Sequence, residues 1–140
     1  YLRRADIYTD NGDYHAAENN YYNAHQHVKK GGLSEAEYLG HWGESLGRIG
    51  RAWIGVKYIE EGLRIMFFDV DMIGDYHWMI VVSGLYGRLA TCAARRGRFI
   101  LAAKSLYKSY KLAKELADKH AMPQRLNQFR AKFGLKPKKR

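Results

Sequence analysis

Histidine, cysteine and paired carboxylates are the side chains of this sequence that could bind a metal ion or catalyse a reaction. His25 and His27 stand two residues apart, and on a helix they point to different faces, which makes them a poor pair of metal ligands. Glu60 and Glu61 are adjacent and diverge in the same way, which is typical of a solvated helix face. The sequence has neither an H-E-x-x-H motif nor a glycine-rich phosphate loop with its lysine. These residues predict no catalytic site, no metal site, no cofactor and no enzyme activity.

Cys92 is the single cysteine of the chain, so an internal disulfide is excluded and a reducing compartment is favoured. Its neighbours Leu89 and Ala93 are apolar, and no base is placed to activate the thiol. We therefore expect a small buried side chain rather than a nucleophile. No apolar run approaches the ~20 residues of a membrane span, and we predict a cytoplasmic protein with no membrane association.

The charge of the chain is divided between two regions of opposite sign. Residues 88–140 contain 16 Lys and Arg but only two acidic residues, Glu115 and Asp118. Residues 1–87 contain eight Lys and Arg against 12 acidic residues, and the formal net charge of the whole chain is +10. This asymmetry indicates an acidic partner for the C-terminal region, with a basic, solvated helical surface as the alternative.

The helices that position these side chains are predicted from an internal repeat. Gly12, Gly50 and Gly97 occupy equivalent positions in its three units. A small residue stands five and again 12 positions after each glycine, and a large apolar residue stands nine positions after it. The small residues are Ala17, Ala24, Gly55, Gly62, Ala102 and Ser109, and the large ones are Tyr21, Ile59 and Leu106. Such a pattern is typical of helix hairpins, because small residues let two helix backbones approach closely. The glycine suits the turn, since it adopts a positive φ without steric cost.

This spacing resembles the tetratricopeptide repeat, written W-x₂-L-G-x₂-Y…A-x₃-F…P, in its long variant of about 40 residues. Arg4 stands where that pattern has leucine, and no repeat carries the closing proline at its usual place. The resemblance implies an all-α fold, a right-handed superhelix of three antiparallel helix hairpins with a C-terminal capping helix. The predicted domain covers residues 1–133, with repeats at 1–33, 34–72 and 75–120, the capping helix at 123–133, and a basic flexible tail at 134–140.

Two local patterns add detail to the second repeat. Ser34 and Glu37 predict a capping box at the start of its first helix. Met66, Phe67 and Phe68 are expected to extend its second helix and to pack in the core or against the next hairpin. The alternative is an exposed apolar patch used to form a homo-oligomer.

The family's binding groove is lined by the first helix of each hairpin, which places eight residues of this chain in it. These are Asp6, Thr9, Asp10, Glu44, Arg48, Arg88, Thr91 and Arg95. Gly40 and Gly47 lie beside them and would let an extended peptide or a partner helix approach closely. The resemblance thus implies a non-catalytic scaffold that binds a protein or peptide segment, as part of a larger regulatory or adaptor protein.

A second hypothesis rests on the basic C-terminal region. Lys104, Lys108 and Lys111 recur at helical spacing and form a basic stripe. Further basic side chains could bind the phosphates of a nucleic acid together with this stripe. They are Arg95, Arg96, Arg98, Arg125, Arg130, Lys138, Lys139 and Arg140. The alternative function is therefore a nucleic-acid-associated protein, either a ribonucleoprotein subunit or the sensor domain of a transcription regulator.

Overall fold

The computed structural model describes Ile7 and residues 11–134, except for the side chain of Tyr14. Six α-helices lie within these residues: α1 Tyr14–His27, α2 Leu33–Arg48, α3 Ala52–Phe68, α4 Tyr76–Arg95, α5 Phe99–His120 and α6 Gln124–Lys132. No strand occurs in this part of the chain, and the predicted all-α class is confirmed for it. Across the same residues, no helix combines the length and the apolar character needed to cross a membrane.

Three equivalent glycines lie in turns, and two of them reverse the chain direction between consecutive helices. Gly12 precedes α1, Gly50 separates α2 from α3, and Gly97 separates α4 from α5. Their φ angles are 80°, 84° and 83°, in the left-handed region that residues other than glycine rarely adopt. The predicted glycine turns are confirmed.

The small residues of the second repeat bring α2 and α3 into backbone contact. A methyl group added at Gly43 would lie 2.7 Å from the Gly55 carbonyl oxygen and 2.6 Å from Cγ1 of Ile59. A methyl group at Gly55 would collide with the Gly43 carbonyl oxygen, and one at Gly62 would lie 3.0 Å from the Ala36 carbonyl oxygen. The close approach predicted from these positions is confirmed.

Each helix packs mainly against its neighbours along the chain. Helices α2 and α3 form one hairpin, α4 and α5 form the next, and α4 packs on both helices of the first hairpin. Helix α1 lies on α2, and α6 lies on α5 and α4. The larger core cluster includes Ile59, Val82 and Leu85, and a smaller cluster around Tyr21 and Tyr38 joins α1 to α2.

The predicted capping box at the start of α2 is wrong. The extended backbone of Gly32, with φ −111° and ψ 179°, makes this residue the N-cap, and no side chain accepts a capping hydrogen bond there. Ser34 therefore lies inside the first turn, too late to cap it. Glu35 rather than Glu37 reaches back, and its Oε1 accepts a hydrogen bond of 2.9 Å from the backbone N–H of Gly31.

The end of α3 divides its three apolar residues between core and surface. The predicted extension of this helix through Phe68 is confirmed. Met66 is 4% exposed, whereas Phe67 is 43% and Phe68 is 86% exposed. The expected packing is therefore confirmed for Met66 in the core. It is also confirmed for Phe67, whose ring centroid lies 5.2 Å from that of Trp78 in the next hairpin. It is wrong for Phe68, because α3 ends where the next hairpin no longer covers it. Trp78 of α4 donates a hydrogen bond of 2.8 Å from its Nε1 to the Met66 carbonyl and closes this end of the helix.

Candidate functional site

Glycines of α2 allow this helix to lie directly against α4. A methyl group at Gly40 would lie 2.6 Å from Cδ2 of Leu85, and one at Gly47 would lie 2.7 Å from Sγ of Cys92. Both glycines are buried in this contact. The expectation that they leave room for a bound peptide is therefore wrong, because α4 already fills that space.

The close contact between the two helices places Glu44 of α2 at the centre of a charged cluster. Arg88 of α4 donates a hydrogen bond of 2.9 Å from Nη1 to Oε2 of Glu44, and its Nη2 lies 3.1 Å from Nε2 of His41. Lys132 of α6 reaches the same Glu44 oxygen at 3.4 Å, and Arg48 lies 3.5 Å from Oε1. We call these five residues the Glu44 cluster.

The carboxylate of this cluster is held in its charged form. Burial alone would raise the pKa of Glu44, but Arg88, Lys132 and Arg48 together bring that pKa below its ordinary value. The side chains of Glu44 and Arg88 are 21% and 22% exposed, so their attraction is screened less than that of a surface pair. The cluster therefore combines a partly buried anion with an excess of positive charge.

The structure brings only some of the predicted groove residues together. Glu44, Arg48 and Arg88 come together in the Glu44 cluster, and Arg95 is exposed in the last turn of α4. The Thr91 hydroxyl lies 3.1 Å from the Gly87 carbonyl and 3.0 Å from the Arg88 carbonyl of its own helix. The other three residues assigned to the groove, Asp6, Thr9 and Asp10, lie outside the described residues.

Lys132 and His41 belong to the cluster although no sequence pattern points to them. Helical spacing identifies α6 as a helix, but it does not specify which of its faces turns toward α2. That rotation is fixed by Phe129, which is 8% exposed and whose ring centroid lies 5.7 Å from that of Tyr110 on α5. Because Phe129 packs inward, Lys132 three residues later extends toward Glu44.

A cavity of about 320 Å³ lies between α4, α5 and α6, and we call it the α6 cavity. Arg88, Arg125 and Lys132 are among the side chains that line it. Arg125 donates a hydrogen bond of 2.9 Å from Nη1 to Oε1 of Gln128. Arg125 thus lies with α6 and α4, rather than in the basic stripe with which the sequence grouped it.

The basic stripe itself is exposed. Lys104, Lys108 and Lys111 are all exposed on α5, as is Arg96 in the preceding turn. The Lys108 ammonium lies 5.3 Å from the centroid of the Tyr86 ring, within cation–π range. The remaining predicted nucleic-acid contacts, Lys138, Lys139 and Arg140, lie outside the described part of the chain.

Cys92 is the single thiol of the chain, and the charges of the Glu44 cluster act on it. It is 1% exposed, and its thiol donates a hydrogen bond of 3.4 Å to the Gly43 carbonyl. Burial, followed by the charge of Glu44, raises the pKa of the thiol to about 11. Because the thiolate is the reactive form, the raised pKa disfavours reaction of this thiol at neutral pH. The small buried side chain that the sequence predicted is confirmed.

The histidines and acidic residues do not assemble a metal site in the described residues, since no three His, Cys, Asp or Glu side chains come together there. His25 instead lies 3.4 Å from the Glu35 carboxylate and stacks on Tyr38 with ring centroids 5.1 Å apart.

Comparison of the chain with protein-family models, with curated proteins and with solved structures yields no match. A proposal for the function of this chain therefore rests on its own geometry.

Proposed function

We propose that this chain is a tetratricopeptide-like, non-catalytic scaffold that binds an acidic protein or peptide segment along the face shared by α2 and α4. In this proposal the hairpins form a right-handed superhelix with α6 as its capping helix, inside a larger regulatory or adaptor protein of the cytoplasm. The support comes from the three glycine turns with matching φ angles and from the small residues that join α2 to α3.

The observation that carries the binding proposal is the charge balance of the α2–α4 face. One carboxylate, Glu44, pairs with both Arg88 and Lys132, so these three side chains carry more positive than negative charge. Arg95 adds another cation about two helical turns beyond Arg88 on α4, and no carboxylate of the described residues lies within ion-pair distance of it. Complementary charge steers association and selects partners, so a segment rich in Asp and Glu fits this face.

A displayed library of random peptides tests the proposal and needs no candidate partner at the outset. We expect the wild-type chain to enrich peptides containing Asp and Glu. The variant Arg95→Glu should lose this enrichment and bind a selected peptide about tenfold more weakly, because the reversal removes two units of positive charge from the face. Affinities are measured by calorimetry at fixed ionic strength.

Lys114→Glu is the matched control, since Lys114 is exposed on α5 and the reversal changes the net charge of the chain equally. This control should keep both the enrichment and the affinity. Equal weakening in Arg95→Glu and Lys114→Glu would show that the peptides respond only to overall charge, and the α2–α4 face would then be the wrong surface.

A second candidate function, contact with nucleic acid, is favoured by the exposed basic stripe. Tyr107 is 63% exposed beside Lys104, Lys108 and Lys111, and such aromatic side chains can stack on unpaired bases. Binding to short RNA or DNA should then weaken with salt, with each phosphate contact adding about 0.7–0.9 to the log–log slope. Lys108→Gln should lower that slope by about one contact. A chain that binds neither RNA nor DNA at low salt would eliminate this function.

A further inference from the structure

The α6 cavity has the size of a small-molecule site. Its volume is about 320 Å³, near the lower end of the ~300–1,000 Å³ common for ligand pockets. Gly84 and Gly87 form part of its wall and carry no side chain to fill it. Ser109 of α5 is held against α4 by a hydrogen bond of 2.8 Å from its Oγ to the Ser83 carbonyl, which keeps these two helices together behind the opening.

Three cations converge on this space. Arg88, Arg125 and Lys132 come from α4 and α6 and line the same cavity. Within the described residues, Arg125 donates one hydrogen bond, which goes to Gln128. A guanidinium group has five N–H donors in a planar fork, so most of this fork remains available to a ligand.

The positive charge in the cavity exceeds the negative charge that faces it. Glu44 accepts from both Arg88 and Lys132, and no second carboxylate forms an ion pair with these three cations among the described residues. Burial, and then the charge of Arg88, lower the pKa of Arg125, against the opposing influence of Glu37. Burial also lowers the pKa of Lys132. Like charges that are partly withdrawn from water are costly without a matching anion, so an anion in this space would relieve the repulsion.

Part of the cavity wall is aromatic. Phe129 and Phe133 line the cavity, with ring centroids 4.9 Å apart. Pockets that combine an apolar wall with a few converging polar groups orient a ligand by its polar end. The wall favours a ligand with a planar or apolar body over a bare inorganic ion.

From this geometry we propose that the α6 cavity binds a small molecule carrying a phosphate or carboxylate group. The oxyanion lies between Arg125, Arg88 and Lys132, where charge-assisted N–H···O⁻ bonds are stronger than neutral ones. The apolar body of the molecule lies against Phe129 and Phe133. The site is distinct from the partner face of α2 and α4, although Arg88 and Lys132 contribute to both.

Phenyl phosphate and benzoate are suitable probes, because each joins an oxyanion to an aromatic ring. Binding to the full chain is measured by calorimetry at constant ionic strength, with inorganic phosphate as the probe that lacks the ring. We expect the wild-type chain to bind phenyl phosphate or benzoate more tightly than inorganic phosphate. The tighter of the two aromatic probes identifies the preferred oxyanion. The absence of binding by both would overturn the proposal.

Arg125→Gln tests the role of the cations, and Arg96→Gln is its matched control, since Arg96 is exposed in the turn before α5. The loss of a charge-assisted hydrogen bond should weaken probe binding about tenfold or more in Arg125→Gln. Arg96→Gln should bind as the wild-type chain does. Equal weakening in the two variants would mean that the probes respond to general surface charge, and the proposal would be wrong.

Gly84→Leu tests whether the ligand lies in the cavity, because it adds a side chain to the wall beside the Arg125 guanidinium and removes no charge. The variant should lose probe binding, and retained affinity would overturn the proposal. If Gly84→Leu does not fold, the comparison of Arg125→Gln with Arg96→Gln decides alone.

Thermal unfolding separates a ligand-binding Arg125 from a structural one. Without probe, Arg125→Gln should unfold no earlier than the wild-type chain, because it removes a partly buried cation that repels Arg88. With probe at a concentration that saturates the wild-type chain, the variant should gain less stability than the wild-type chain, because its affinity is about tenfold weaker. An equal loss in both conditions would assign Arg125 a structural role. No partner protein is present and Arg95 is unchanged, so failure here leaves the α2–α4 proposal standing.

Discussion

At the scale of single residues, burial decides the chemistry of Cys92. Its thiol lies against the backbone of α2 and close to Gly55 of α3, and burial raises its pKa from 9.0 to about 11. A folded-state pKa above the unfolded value means that folding favours the protonated thiol. The associated stability is complete below pH 9 and is lost as the pH rises toward 11.

We therefore predict that the free energy of unfolding of the wild-type chain falls by about 2–3 kcal/mol from this thiol between pH 9 and pH 11. Cys92→Ala lacks the ionisation and should lose less over the same range, although its stability at pH 7 is lower because a cavity remains. Urea titrations at intervals of half a pH unit measure both chains. Tyr38 and Tyr86, whose pKa values burial also raises, are present in both and cancel in the comparison. Parallel curves would contradict the prediction.

Single residues also show where sequence reasoning succeeds and where it stops. Ala17, Tyr21 and Ile59 are 0%, 1% and 0% exposed, as the repeat pattern predicts. Their counterparts in the third repeat, Ala102 and Leu106, are only half-buried. The repeat spacing specifies which side of α5 faces its hairpin partner, but burial also needs a further helix outside. Among the described residues, α6 covers only part of α5.

At the scale of helices, the cost of a side chain at a glycine depends on what that side chain would meet. A methyl group at Gly55 of α3 would collide with the backbone of α2, whereas one at Gly84 of α4 would meet its nearest neighbour, Nη1 of Arg125, at 3.6 Å. The first contact is impossible without a backbone shift, and the second is ordinary van der Waals contact. Alanine also favours a helix over glycine by roughly 0.5–1 kcal/mol.

We predict opposite effects for these two substitutions. Gly55→Ala should lower the free energy of unfolding by about 1–3 kcal/mol, because α2 and α3 must separate. Gly84→Ala should raise it by about 0.5–1 kcal/mol. Chemical denaturation of the two variants in parallel checks both signs. A stabilising Gly55→Ala would show that α2 and α3 are not held in contact at this point.

The sequence predicts where the helices lie along the chain better than it predicts which face each helix turns toward its neighbours. The glycine turns, the hairpin contacts and the existence of a last helix near residues 123–133 follow from local spacing. The start of α2 differs from prediction because Gly32 takes the extended conformation that Ser34 was expected to take. The joining of Lys132 to Glu44, which are 88 residues apart, depends on how α6 packs, and no local pattern encodes this.

At the scale of the whole molecule, stability should be distributed along the chain, because each helix mainly contacts its neighbours. Helix α6 is anchored by one buried side chain, Phe129, at 8% exposure. Phe129→Ala should therefore accelerate hydrogen exchange of the amides of α6 first, while those of α2 and α3 keep their protection. The control is Phe99→Ala, since Phe99 is 71% exposed and its loss should leave all exchange rates nearly unchanged. Uniform acceleration along the whole chain would instead show a single cooperative unit.

The position of Cys92 gives the molecule a chemical reporter of its own motions. Its sulfur lies where the two hairpins meet, close to Gly43, Gly47 and Gly55, and it is the only thiol in the chain. A thiol reagent can reach it only when α4 moves away from α2. When reclosing is faster than the reaction, the labelling rate divided by that of the unfolded chain equals the fraction of molecules in which this interface is open. A ligand that holds α4 against α2 would therefore slow the labelling of a residue that the ligand never touches.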